Sequence, residues 1–558
     1  MQLSNTQFVF EGSLKRNLLI GMVVGAVCLG LSAIGDDQYH TRFWSNYLHN
    51  AVFFTGISFM AMFFLSAQIT AFAGWNAVVK RIWEAMSQFM LVGLVLIGVI
   101  VIGVWGHLHH LYHWNTPGIT DPSNPVYDEI IAGKSGFLNP IFFTVGTVGF
   151  LAIWYFWAKK LRDNSVLQDE HETASFDYYK RQRKWAASFL PIGGFLSAVF
   201  IWLLMMSIDA HWYSTMFAWY SSASLFLAMI SLFIMIVIYL KSKGYMEYVT
   251  RDHLHDLGKF LFGISVFWTY LWFDQFMLIW YANVGEETIY FNERMQHYPV
   301  LFWGNLLLNF VTPFLVLMRN DTKRKFGTLF FASLIVFFGH WWDFFYMVKP
   351  GARIAAHEAQ MIESGMHGKH GSKYLKDAAP LSTVNTPPAT MMAGVGEQEA
   401  HATQAAEQKP TATAHEAQTP PAEGHQQAAP AEGHAGEGHA TEPAPTEGHE
   451  APHGTPSEGA SAHGEAAAHG EMHGEEAHSA HHGDKSFKLG FTLPGLEELG
   501  VLIGFLSLFL FFFFSTLEKA SLVPGRDPYI EESLHHETGA MIETEQADKH
   551  DHHGHDHH

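Results

Sequence analysis

The 558-residue chain is 48% hydrophobic and 15% aromatic, only 15% is charged, and the formal net charge is −20. Its one cysteine, Cys28, excludes an intrachain disulfide, a thiolate-ligated iron–sulfur cluster and a CxxCH haem attachment within these residues, and the acidic balance gives no case for nucleic-acid binding. The mean hydropathy of +0.06 averages two populations: 1–350 and 490–520 hold long apolar runs and all 17 Trp, whereas 354–488 and 520–558 are polar and rich in His, Glu, Ala, Gly and Pro.

A bilayer core takes about 20 mostly apolar residues per helix. Ten such runs follow one another, at 17–34, 51–73, 85–106, 136–158, 185–207, 217–240, 260–281, 300–318, 326–347 and 495–516. They predict an all-α integral membrane protein made of 1–350 (spans 1–9), a low-complexity loop at 351–489, 490–520 (span 10) and a His-rich tail at 521–558. A cleaved signal peptide ending at Ala33-Ile34-Gly35 is the alternative for span 1, and Glu11 and the long leading segment argue against it. Lys and Arg collect in alternate loops: Lys15 and Arg16, Lys80 and Arg81, 159–184, 241–259 and 319–325. The intervening short loops hold only Arg42, Lys134 and Arg294. Because short cytoplasmic loops retain positive charge, both termini are expected in the cytoplasm and the long 348–494 loop on the other side. Spans 1 and 10 are apolar all round and are expected outside an inner group of eight.

An ionisable group costs roughly 2.5–3.5 kcal/mol at mid-span on insertion scales, so each one needs a reason. Taken along the chain, Gln68, Glu84 and Gln88 flank the turn between spans 2 and 3. Glu84 is a candidate for cytoplasmic proton entry, or else a solvated helix-start carboxylate favoured by the helix dipole. The run His107 to His113 contains four histidines, and His109 and His113 would share a face if the helix continued; with no acidic or Cys partner nearby in sequence, an interfacial position is favoured over a metal site. Asp209 and His211 end span 5, Asp274 and Gln275 lie in span 7, Asn305 and Asn309 precede Pro313 in span 8, and His340 and Asp343 share a face of span 9.

With that orientation, Asp209, Asp274, Asn305, His340 and Asp343 fall in the outer halves of their spans among Trp, Phe and Tyr. The expectation is one aromatic-walled pocket near the outer face, suited to a quinone ring and tail, with carboxylate or imidazole accepting the protons released by a quinol. Helix capping by Asp209 and His211, a structural His340–Asp343 pair, and proton conduction without quinone remain alternatives. Only His340 lies well inside a span, which argues against haem b. The segment 378–485 repeats Glu-Gly-His and is expected to be disordered; its His425, His434, His439 and His449 are weak divalent-metal candidates.

Several stretches resemble the ActF-type membrane subunits of alternative complex III, the bacterial quinol:cytochrome c oxidoreductase. They are 43–56 (opening Phe43-Trp44-Ser45-Asn46-Tyr47), 208–215 (Ile208-Asp209-Ala210-His211-Trp212-Tyr213-Ser214-Thr215), 267–283 (with Trp272-Phe273 and Gln275-Phe276), Phe338-Gly339-His340-Trp341-Trp342-Asp343, 494–500 (Pro494-Gly495-Leu496-Glu497-Glu498-Leu499-Gly500) and 527–533. The likeness covers 10–350 and 490–535. It implies an NrfD-type fold of two four-helix bundles plus two flanking helices, in a bacterial inner membrane. It also implies menaquinol or another quinol as substrate, no haem or iron–sulfur cluster on this chain, and three partners: a haem c protein, an iron–sulfur protein and a homologous quinol-binding membrane subunit. Asp274 departs from the family pattern, where a small hydroxyl residue is usual, and the His-rich insert is far longer than the usual loop. Competing functions are a structural anchor for peripheral electron carriers and a metal-ion transporter. The transporter predicts ligands at broken helices near the midplane, whereas the polar residues here gather toward one face.

Overall fold

A computed structural model describes residues 7–34, 36–170, 176–363 and 493–537. Among them, ten helices are long and apolar enough to cross a membrane: Gly12–Leu31, Thr41–Thr70, Gly74–Trp105, Pro140–Glu170, Phe176–Ile208, Thr215–Ser242, Arg251–Ala282, Pro299–Leu317, Phe326–Glu363 and Leu496–Leu517. They are spans 1–10. No strand occurs among the described residues, and one isolated bridge joins Gln7 to Ser521. The insert candidates His425, His434, His439 and His449 lie outside the described residues.

Spans 2–5 form one four-helix bundle and spans 6–9 a second, with a seam made by spans 2, 5, 6 and 9. Spans 1 and 10 flank them as an adjacent pair, span 10 resting on spans 2 and 3. The pair meets at glycines: a Cβ on Gly504 would lie 2.5 Å from the Cα of Gly25, so the two backbones touch. Span 1 has the outer position expected of an all-apolar helix. Span 10 also lies outside the eight but is sandwiched between span 1 and spans 2 and 3, so Phe509, Phe513 and Phe514 are buried and it begins with a buried Glu498.

Several spans depart from a plain α-helix, among them span 4, with a π-turn at Val145–Gly149, and span 5, which ends in the 3-10 turn Met206–Ile208. Span 3 opens with a 3-10 turn, Gly74–Val79, and a short helix, Lys80–Ser87, before its apolar part Met90–Trp105. Span 8 holds a π-turn, Leu307–Val311. Pro313 explains it: proline has no N–H for the carbonyl of Asn309 and crowds that carbonyl, so the turn widens, and the Thr312 hydroxyl donates to the Leu307 carbonyl at 2.9 Å. Span 9 runs to Glu363 rather than ending at 347. Pro350 costs it one backbone bond, and the Ala-rich stretch beyond continues the helix, with Ala352, Ala355, Ala356 and Ala359 buried. Residues 351–363 therefore belong with span 9 and not with the insert. At about 1.5 Å per residue, its 38 residues reach about 57 Å.

Odd-numbered spans finish at one end of the molecule, here the Asp209 end. That end also carries the short helices Glu129–Lys134 and Gly285–His297. At the opposite, Asp527 end, the segment after span 10 folds back over both bundles.

Candidate functional site

Span 9 carries the polar groups in a row. At its middle, Asp343 is fully buried and its carboxylate accepts four hydrogen bonds: from the Tyr220 hydroxyl, from Asn305 Nδ2 at 2.5 Å, from Ser224 Oγ at 2.9 Å and from Trp268 Nε1 at 3.1 Å. One donor comes from span 7, one from span 8 and two from span 6. Ser224 also meets His340 Nδ1 at 2.9 Å. Since its hydroxyl proton goes to Asp343, Ser224 accepts from Nδ1–H, which leaves Nε2 as the bare imidazole nitrogen. That Nε2 is buried with no hydrogen-bond partner among the described residues. Asn309 ties the ring of contacts together, donating to Asn305 Oδ1 and to the Gly339 carbonyl, both at 3.0 Å. Glycine is needed at 339, because a Cβ there would stand 3.0 Å from that of Leu308 and closer still to Asn309. All four donors to Asp343 are neutral, and no ion-pair partner of Asp343 occurs among the described residues.

One turn further along span 9, the Met347 carbonyl accepts from Arg294 at 3.1 Å. Arg294, fully buried, also pairs with the nearly buried Asp209 at 3.0 Å and lies 3.4 Å over the Tyr290 ring, which stacks on Trp212. Burial pushes the Asp209 carboxyl above its ordinary value, and Arg294 pulls it only part of the way back. Near the end of span 9, Glu358 faces His113 Nδ1 at 3.5 Å and His211 Nδ1 at 3.8 Å, while His211 Nε2 meets Asp128 at 2.8 Å. Burial alone would lower the His211 imidazole, but the bond to Asp128 and the charge of Glu358 raise it. Asp128 is desolvated too, yet His211 and the Ile131 amide hold it down at about 2. From Asp343 to Glu358 is fifteen residues, about 22 Å along the helix.

The residues expected in one pocket are thus divided. His340, Asp343 and Asn305 meet; Asp209 and His211 belong to two further clusters toward the end. Gln275 is buried and donates to Ser214 at 3.0 Å. Asp274 joins none of them: it is half-buried, with no hydrogen bond or ion pair among the described residues. The buried face of span 7 is Trp268, Leu271, Trp272, Gln275 and Ile279, a helical stripe readable from sequence, and Asp274 lies off it. Glu84 is buried rather than solvated, paired with Arg81 at 2.8 Å; Arg81 in turn bonds Asp169. The His107–His113 run is not helical. Span 3 ends at Trp105, the chain turns at His107 with φ 49°, and His109 folds inward to meet the Ile100 carbonyl at 3.2 Å.

Reading the sequence missed several partners. Lys349 is fully buried, bonding Ser45 at 2.7 Å and Asn46 at 2.5 Å, while Asn46 and Arg42 bond Glu498 at 3.1 and 2.7 Å. A lone Lys closing an apolar run was the available signal. Tyr220, Ser224 and Trp268 gave none, since hydroxyls and indoles are ordinary in a span. An apolar cavity of about 470 Å³ lies between spans 2, 5, 6 and 7, lined by Phe59, Phe63, Trp202, Trp219, Phe226 and Phe267 among others; no residue of the three clusters lines it. Neither a protein-family model nor a curated protein matches the chain.

Proposed function

We propose that this chain is a proton-handling membrane subunit of a bacterial quinol:acceptor oxidoreductase complex, and that Asp343 is the group that loads and releases the proton. The observation that carries this reading is the Asp343 carboxylate, buried in the second bundle among four neutral donors with no cation paired to it among the described residues. A structural carboxylate is normally held by a counter-ion, as Asp209 is by Arg294, because a buried unpaired charge costs several kcal/mol. Neutral donors can instead serve a group that gains and loses its charge. The Tyr220 and Ser224 hydroxyls rotate to suit either form, and His340 Nε2 is a lone pair within the same network. The row of polar groups along span 9 leads from there toward the Asp209 end.

The cationic loops at the Asp527 end favour the cytoplasm on that side, and discharge on the other. The 470 Å³ cavity suits an isoprenoid or acyl tail, since its lining is almost wholly apolar. The electron carriers, a haem c protein and an iron–sulfur protein, would be partners, with a sister membrane subunit holding the quinol head. The resemblance of 208–213 and 338–343 to alternative complex III supports that setting.

The test is Asp343→Asn in the intact complex, measuring protons released per electron during quinol oxidation. Asparagine keeps the size and the acceptor oxygen but cannot ionise. The expected result is a large fall in proton release in a complex that still assembles. Unchanged stoichiometry and rate would leave only an anchoring role.

A further inference from the structure

We propose that His113, Asp128 and His211 bind one divalent transition-metal ion, of which zinc is the natural probe, with Glu358 holding the two imidazoles behind it. The ligating atoms of these three residues lie within 4.8 Å of one another. An ion about 2.0–2.2 Å from each donor is reached by side-chain movements of about an ångström. Two imidazoles and a carboxylate form a donor set that zinc, ferrous iron and cobalt all accept, with a position left for water.

The surroundings are those of a metal centre rather than of a single ion pair. A metal-bound histidine characteristically gives its other ring nitrogen to a carboxylate, and Glu358 lies 3.5 Å from Nδ1 of His113 and 3.8 Å from Nδ1 of His211. On His211 this leaves Nε2 to face Asp128, at 2.8 Å. Asp128 is oriented in the same way: its Oδ1 caps the helix Glu129–Lys134 by accepting from the Ile131 amide at 3.0 Å, while Oδ2 meets His211. Lys134 fixes the backbone beside the site, donating to the Ala210 and His211 carbonyls at 2.9 and 3.2 Å. With neutral imidazoles, Asp128 and Glu358 bring two negative charges against the one positive charge of Lys134, so the site is net negative and favours a cation. The four residues come from four separate segments: the turn after span 3, the cap of a short helix, the turn after span 5, and the extension of span 9. An ion here would pin the loops of the first bundle to span 9 of the second.

The experiment uses the full chain, stripped with chelator, loaded with Zn²⁺, desalted and assayed for bound zinc by elemental mass spectrometry. Because the insert is also His-rich, a His425, His434, His439 and His449→Ala variant is run beside it. One retained ion per chain is expected in both, and loss of that ion in His211→Ala and Asp128→Ala. Glu358→Gln should keep the ion but weaken it about 10–100-fold, as for other residues supporting metal ligands. Retention in His211→Ala, or loss in the insert variant alone, overturns the proposal. Should the ligand variants fail to fold, Co²⁺ in the insert variant decides: intense visible bands of a four- or five-coordinate site are expected, and only weak octahedral bands would refute it.

Discussion

His109 is buried beside the end of span 3, packed near Trp44 and Tyr112, with its Nε2 at the Ile100 carbonyl. Burial pushes this imidazole down to about 4 from its ordinary 6.5. A depressed folded value means the neutral form is the stable one, so the folded state keeps its full stability above pH 6.5 and loses it as pH falls toward 4. A gap of that size is worth about 3 kcal/mol at the acid end, at 1.36 kcal/mol per unit. His109→Leu cannot be penalised in this way. The stability difference between wild type and the variant, followed by thermal unfolding from pH 7 to pH 4, should therefore shift by about 3 kcal/mol in favour of the variant. A difference that stays flat with pH would show that the imidazole is accessible to water.

Single residues also show where sequence stops being informative. His340 and Asp343 could be picked out because their spacing shares a helical face and mid-span placement demands a reason. Asp274 looked equivalent, since it too is ionisable inside a span. What separates them is helix phase: Asp343 points into the second bundle, while Asp274 lies off the stripe that runs through Trp268, Trp272, Gln275 and Ile279. Arg294 is visible in the sequence as a charge but not as the partner of Asp209, because the polar stretch that carries it reads as a short loop and the structure makes it the helix Gly285–His297.

At the scale of elements, the ten spans were legible because apolar length is a local property. Their ends were less so. Span 9 continues past Pro350 because Ala-rich sequence has high helix propensity and packs once there, and no hydropathy window sees that. The pairing of spans 1 and 10 was hidden for a related reason: glycines permit contact without naming the partner. Gly504 is the tightest point of that pair. Gly504→Leu places a side chain where the Gly25 backbone stands, and overpacking of this kind costs about 1–3 kcal/mol. The two bundles do not depend on span 1, which is mostly exposed along its length, so the cost should appear as loosening of span 1 alone. Cys28 reports on it, since it packs against Gly500. In detergent, its labelling by a hydrophobic maleimide should quicken by about tenfold, the factor that corresponds to roughly 1.4 kcal/mol, while the main unfolding transition moves little. An unchanged labelling rate would mean that the glycine contact does not hold the helix.

Over the whole molecule, the two ends are built differently. The Asp209 end holds the Asp209–Arg294 pair and the cluster of His113, Asp128, His211 and Glu358. The Asp527 end is closed by the segment after span 10, which crosses both bundles. Asp527 pairs with Lys80 at 2.8 Å, both buried, and Lys80 also bonds Gln182 at 2.7 Å. Ser533 accepts from the Val78 amide and donates to the Trp75 carbonyl, and its own carbonyl meets His253 at 3.0 Å. Lys80 and Arg81 were counted in the sequence as signs of a cytoplasmic loop, yet both are buried in ion pairs here. Their charge serves the closing of this end of the bundles. Removing one member of a buried pair strands the other, at a cost of about 3–5 kcal/mol, whereas replacing both with apolar groups is often neutral. Asp527→Asn should therefore lower the unfolding free energy of the whole chain by several kcal/mol, and Lys80→Met with Asp527→Leu should recover most of that loss. Thermal unfolding of both variants in the same detergent measures it. If Asp527→Asn costs less than about 1 kcal/mol, the range of a solvent-exposed pair, then water reaches Lys80 and the returning segment does not seal this end of the bundles.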